Sequence, residues 1–97
     1  MVMVGGFCSR NTSDEDVLTA AHFAVERLND MSNSLHPHKL DSVLEASSQV
    51  VAGTNYSLLL QTTRGNSVEK HEVIVFKSLS QQFEFVNHKA VSAVPRS

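Results

Sequence analysis

The pattern of apolar and polar positions along the chain changes period once. Val17, Ala21, Ala24, Val25 and Leu28 recur at i, i+4, i+7, i+8 and i+11, a helical stripe. His22, Glu26, Arg27 and Asp30 fall largely on the other side, and Phe23 borders the stripe and widens it. Ser13 offers a cap, and Asp14, Glu15 and Asp16 put negative charge at the positive end of the helix dipole. The spacing predicts one amphipathic helix from Asp14 to about Asn29. Before it, Gly5-Gly6 breaks any regular element, and a weak first strand is expected within residues 3–12.

Past the loop from Asn29 to His38 the period becomes 2. Leu40, Leu44 and Ala46 share one parity against Asp41, Glu45 and Ser47. Val43 interrupts the alternation, and Ser42 takes a core-parity slot. Tyr56, Leu58 and Leu60 alternate with Asn55, Ser57 and Gln61, which gives two antiparallel strands joined at Gln49–Gly53. Arg64-Gly65-Asn66-Ser67 reads as a turn, Val68 to Lys77 as a strand, and Ser78 to Gln82 as a second turn. Phe83, Phe85 and Val86 lie in the last strand. A helix stripe and one apolar sheet face can bury each other in two layers. The expected fold is α+β, one long helix packed on an antiparallel sheet of four to five strands, as a single domain over residues 1–97.

Composition narrows the function classes. Ninety-seven residues suffice for one core. Lys plus Arg is 8 against 10 Asp plus Glu, so no basic surplus points to nucleic acid. No apolar run approaches the roughly 20 residues that span a bilayer, so no membrane partner is expected. Met1-Val2-Met3-Val4 has no basic start or long apolar stretch, so no signal peptide is expected either. Cys8 is the one cysteine, which rules out an intrachain disulfide and suits a reducing compartment. A cytoplasmic location is the expectation, with secretion after leader removal as the alternative.

Catalytic sets are hard to assemble. The histidines are His22, His36, His38, His71 and His88. His36-Pro37-His38 could weakly hold a metal, but a polar loop is the simpler reading. His22 falls on the solvent face, and His71 and His88 read as strand residues with partly wet rings. Cys8 reads as a free, non-catalytic thiol, and the Asp14–Asp16 carboxylates as dipole partners. No residue set joins nucleophile, base and oxyanion donor, so no enzyme, metal or cofactor is expected.

Three apolar features stand where polar residues are usual. Val4-Gly5-Gly6 sets an apolar residue beside two glycines at an exposed terminus. Gln49-Val50-Val51-Ala52-Gly53 puts two valines and an alanine at a hairpin tip. Ser78-Leu79-Ser80 puts a leucine in the next turn at the same end of the sheet. Together they would form a thin apolar wedge for a partner's cleft. Each also has a plainer reading: a tail, the paired end of a strand, and a leucine folded back on the core.

These residues carry a family resemblance. Val4-Gly5-Gly6, Phe23-Ala24-Val25 with Asn29, and Gln49-Val50-Val51-Ala52-Gly53, which fits Gln-x-Val-x-Gly, occur in the order and at the spacing of the cystatins. Cystatins are protein inhibitors of papain-like cysteine proteases, and the resemblance spans most of the chain. It departs in the second hairpin, where Leu79-Ser80 stands near the family's Pro-Trp. With a single cysteine the chain resembles the disulfide-free stefins and plant cystatins.

The resemblance implies a reversible, non-covalent inhibitor of cathepsin-type proteases. Met3 and Val4 would occupy non-primed subsites, and Gly5 and Gly6 would turn the chain from the nucleophile. Gln49, Val50, Val51, Ala52 and Gly53 would enter the cleft, with Leu79 and Ser80 as a third contact. Ser32-Asn33-Ser34 resembles the motif through which some cystatins inhibit legumain, which makes Asn33 a second candidate. A monomer is expected, with a domain-swapped dimer if the Gln49–Gly53 turn opens. A non-inhibitory interaction module on the same fold is the alternative.

Overall fold

The computed structural model describes residues 6–32 and 35–95, with backbone alone for 92–95. Among these lie β1 (Cys8–Ser9), α1 (Glu15–Ser32), β2 (Lys39–Val51), β3 (Gly53–Arg64), β4 (Ser67–Lys77) and β5 (Phe83–Pro95). The strands form one antiparallel sheet in chain order, β1-β2-β3-β4-β5. Among the described residues the helix is the sole excursion from this meander, and it packs across the four long strands. Short hairpin loops explain the order, since antiparallel neighbours need little chain between them.

The helix buries the predicted stripe, and Ala20 joins it: Val17, Ala20, Ala21, Ala24, Val25 and Leu28 are all inside. Three alanines on that face let the helix sit close to the sheet. Facing it are Ala46, Tyr56, Leu58, Leu60, Val73 and Val75. Phe23 stacks on Phe83 at 5.3 Å between ring centroids and closes one flank.

The helix termini differ from expectation. Ser13 does not cap; its hydroxyl donates to Asn11 Oδ1 at 2.7 Å. The Asp14 carbonyl accepts the first helical bond, from the Leu18 N–H at 2.9 Å, so Asp14 is the N-cap residue. The helix also runs to Ser32 rather than Asn29, because no Gly or Pro interrupts it before Pro37. Asn29 then fixes the exit. Its side chain accepts from the His38 N–H at 2.7 Å and donates to the His38 carbonyl at 3.1 Å.

Strand β2 departs from simple alternation. Its register to β3 shifts between Leu40 and Ser42, and again between Val43 and Glu45. Each bulge adds one residue and so flips the parity of the strand beyond it. Leu40 packs on the core as the alternation predicts, but Val43 joins it there while Leu44 and Ser42 face solvent, the reverse of what their parity predicts. Strand β5 carries two similar shifts, and there Phe83 and Phe85 face inward and Val86 is exposed.

An ionic cluster ties the N-terminal segment to both layers. The Arg10 guanidinium donates to Asp16 Oδ1 at 2.7 Å, to Asp14 Oδ2 at 3.1 Å and to Ser48 Oγ at 3.1 Å. The Tyr56 hydroxyl donates to Asp16 Oδ2 at 2.8 Å. Asp16 thus joins β1's trailing chain, the helix start and the sheet centre, a role beyond the dipole.

Candidate functional site

Two hairpin tips meet at one end of the sheet. In the first, Val51 pairs with Gly53 and Ala52 alone makes the turn. Gln49 is anchored below it by the Asn55 side-chain amide, which donates to Gln49 Oε1 at 3.1 Å. Rigid pairing up to the tip leaves the valines no core to fold into: Val50 is 82% and Val51 48% exposed.

Gly53 is the residue that permits this geometry. Its φ is 123°, and a Cβ there would lie 2.5 Å from the Lys77 carbonyl oxygen and 2.7 Å from Phe76 Cζ. Only glycine lets β3 lie this close to the end of β4.

The second tip is the Ser78–Gln82 turn. The Ser78 N–H donates to the Gln82 carbonyl at 2.8 Å, and the Gln82 N–H donates to Ser78 Oγ at 3.1 Å. Ser80 Oγ lies 2.9 Å from Ser78 Oγ. Gln81 takes a left-handed φ of 71°. The turn is therefore held by its own polar groups, and Leu79 projects outward at 78% exposure rather than folding back on the core.

The two tips line one recess, formed by Val50, Val51, Gly53, Thr54, Lys77, Ser78, Leu79 and Gln81. Exposed apolar side chains are thus gathered on one edge, while their backbones are fixed by hairpin bonds. The register Cys8↔Ser48 brings the chain into β1 from this same end, beginning with Gly6 at φ 50°. Met3, Val4 and Gly5 lie outside the described residues, as does Asn33.

The other sequence candidates are dispersed. Cys8 is exposed in β1, with its Sγ 3.8 Å from the Gly6 carbonyl oxygen. His22 is on the solvent side of α1, as the pattern predicts. His36 and His38 do not act as a pair: His36 is exposed, while His38 is buried. His71 is also buried, at 4% exposure, which overturns the reading of a partly wet ring.

His38 and His71 belong to a polar cluster at the far end of the sheet, which the sequence reading missed. The cluster also holds Glu69, Thr62, Arg64 and His88. Burial pushes both the His38 and His71 imidazoles below the ordinary histidine value, against the pull of Glu69. One signal was available: Glu69, His71, Val73 and Val75 share a parity, and the two valines mark it as inward.

Comparison with known proteins identifies the family and the fold. The model of the cystatin domain matches residues 5–92. L-cystatin of Tachypleus tridentatus is 45% identical over 58 residues, 60% of this chain and 44% of that protein. Cysteine proteinase inhibitor 7 of Arabidopsis thaliana is 38% identical over 77 residues, 78% of this chain and 33% of that protein. The chain therefore spans less than half of either relative. The salivary cystatin of the soft tick Ornithodoros moubata superposes with a TM-score of 0.80, covering 93% of this chain and 100% of that one, at 16% identity. The crystal structure of Al-CPI gives 0.76, covering 89% and 99%, at 23% identity. At such identities these two likenesses speak for the fold.

Proposed function

The chain belongs to the cystatin family, and we propose that it is a reversible, non-covalent inhibitor of papain-like cysteine proteases of the cathepsin type. The observation that carries the reading is the shared recess of two hairpin tips, with Val50, Val51 and Leu79 exposed around it. Exposed apolar groups on a fixed backbone gain from desolvation in a narrow cleft and lose little entropy on docking. The Gln49–Gly53 hairpin enters the cleft, Leu79 and Ser80 press on one wall, and Met3, Val4, Gly5 and Gly6 extend along the non-primed side. The inhibitor stays uncleaved because the tip is held as a hairpin rather than as an extended substrate.

The test is an inhibition panel over papain, several cathepsins and legumain, run with the wild-type chain and Val51→Asp. Placing a carboxylate on the tip weakens inhibition more than about tenfold, the effect of burying an unpaired charge. Undiminished inhibition by Val51→Asp removes the wedge. Failure of the wild-type chain to inhibit any papain-like protease favours a non-inhibitory interaction module on the same fold.

The legumain arm tests a separate residue. In the sequence, Asn33 and Ser34 come directly after Ser32, and Asn33→Lys abolishes legumain inhibition without touching the papain-like activity; unchanged legumain inhibition ends that assignment. The lone cysteine suits a reducing compartment, which supports a cytoplasmic inhibitor.

A further inference from the structure

The cluster at the opposite end of the sheet has the chemistry of a metal site. His38, Glu69 and His71 are all buried, and one ligand atom from each lies within 4.8 Å of the other two. Register explains the meeting. Thr62 pairs with Glu69 and Leu60 with His71, so both side chains issue from the inward parity of β4. The Asn29 clamp brings His38 in from the other side.

The carboxylate of Glu69 has two distinct ends. Oε2 takes a bond from the Arg64 guanidinium at 3.1 Å. Oε1 faces the imidazoles instead, 3.1 Å from His71 Nε2 and 3.8 Å from His38 Nδ1. Zinc bonds of about 2.0–2.1 Å in tetrahedral geometry set ligand atoms roughly 3.4 Å apart. These two edges bracket that value, and the His38–His71 edge, no longer than 4.8 Å, closes by at most about 1.4 Å to reach it.

Further features point the same way. His88 Nε2 lies 2.9 Å from His71 Nδ1, on the ring nitrogen facing away from Glu69. With a metal on Nε2, the His71 Nδ1–H donates to His88, the outer partner that fixes a ligand's tautomer. A recess lined by Leu28, Met31, Ser32 and His88 reaches the cluster. Leu28 to Ser32 is the last turn of α1, the negative end of its dipole, and that turn carries no basic residue. Two imidazoles and a carboxylate here also cost desolvation that an apolar set would avoid.

We propose that His38, Glu69 and His71 form a divalent-metal site with zinc preference, closed by a solvent ligand and supported by His88. Two histidines and one carboxylate are a zinc donor set, and imidazole nitrogen disfavours magnesium or calcium. The site lies at the end of the sheet away from the tips.

The experiment is a zinc titration of the full chain carrying Cys8→Ser, which removes the thiol as a rival ligand. Calorimetry gives the stoichiometry, and NMR of the histidine rings reports which imidazoles respond. The expected result is one zinc per chain, with the His38 and His71 ring signals shifted. Glu69→Gln weakens zinc at least about tenfold, the loss already typical of an outer partner, and His22→Gln leaves affinity unchanged. Should Glu69→Gln fail to fold, His38→Gln serves in its place, and the wild-type ring signals answer without any cluster substitution. Zinc that shifts only His22 or His36, or that binds Glu69→Gln and wild type alike, overturns the proposal.

Discussion

Gly53 rests against the main chain of Lys77 so closely that a methyl group in its place would lie 2.5 Å from the Lys77 carbonyl oxygen. The contact locks the first hairpin tip to the base of the second. Gly53→Ala therefore meets both a backbone clash and a φ of 123° that side chains resist. A loss of about 1–3 kcal/mol is expected, read as a lower urea midpoint at unchanged slope. A variant that unfolds with the wild type would show that the approach is looser than described.

Leu79 is the second prediction. The Ser78–Gln82 turn is held by polar bonds that do not involve the leucine side chain. Leu79→Ala should leave thermal stability within about 0.5 kcal/mol of wild type, the usual range for a surface change. Against papain it should raise Kd about five- to thirtyfold, or about 1–2 kcal/mol, as for an apolar anchor at an interface. Equal inhibition by both chains would confine the contact to the first tip.

The Tyr56–Asp16 bond makes a pH prediction. Burial pushes the Tyr56 hydroxyl up to about 12, and its bond to Asp16 adds to that. Burial also works to raise Asp16, but the bonds from Tyr56 and Arg10 outweigh it and hold the carboxylate below its ordinary value. The signs are set by which state binds more protons. Asp16 contributes stability that is present above pH 3.8 and lost as pH falls through its lower folded value. Tyr56 contributes stability that is present below pH 10 and lost as pH rises toward about 12. Because the chain has one tyrosine, an ultraviolet titration reads it alone. Its midpoint should fall near 12; a midpoint near 10 would mean that the hydroxyl is free.

The sequence carried the helix and the meander because their signals are local. The α1 stripe and the Tyr56, Leu58, Leu60 alternation each repeat often enough to be read without a partner strand. Leu44 was misread because a β-bulge is a property of two strands: the extra residue shows only when β2 is set beside β3. His38 and His71 were misread for a related reason. They lie 33 positions apart, and only the Asn29 clamp and the β3–β4 register bring them to one carboxylate. The tips were legible because apolar residues in a turn violate local rules, and such violations gather at functional surfaces.

The last prediction concerns the tip as a hinge. Opening the turn at Ala52 would let β2 run on into β3, and two chains would then exchange β1, α1 and β2. Every core contact of the exchanged dimer matches that of the monomer, so the balance rests on the hinge and on protomer concentration. Such a dimer straightens the segment from Val50 to Gly53, and so removes the projecting tip. The dimer peak from size-exclusion chromatography should therefore fail to inhibit papain, while the monomer peak inhibits. Gly53→Ala, whose strained φ is released when the turn straightens, should raise the dimer fraction. A dimer with full inhibition per chain would place the exchange elsewhere in the fold, or rule it out.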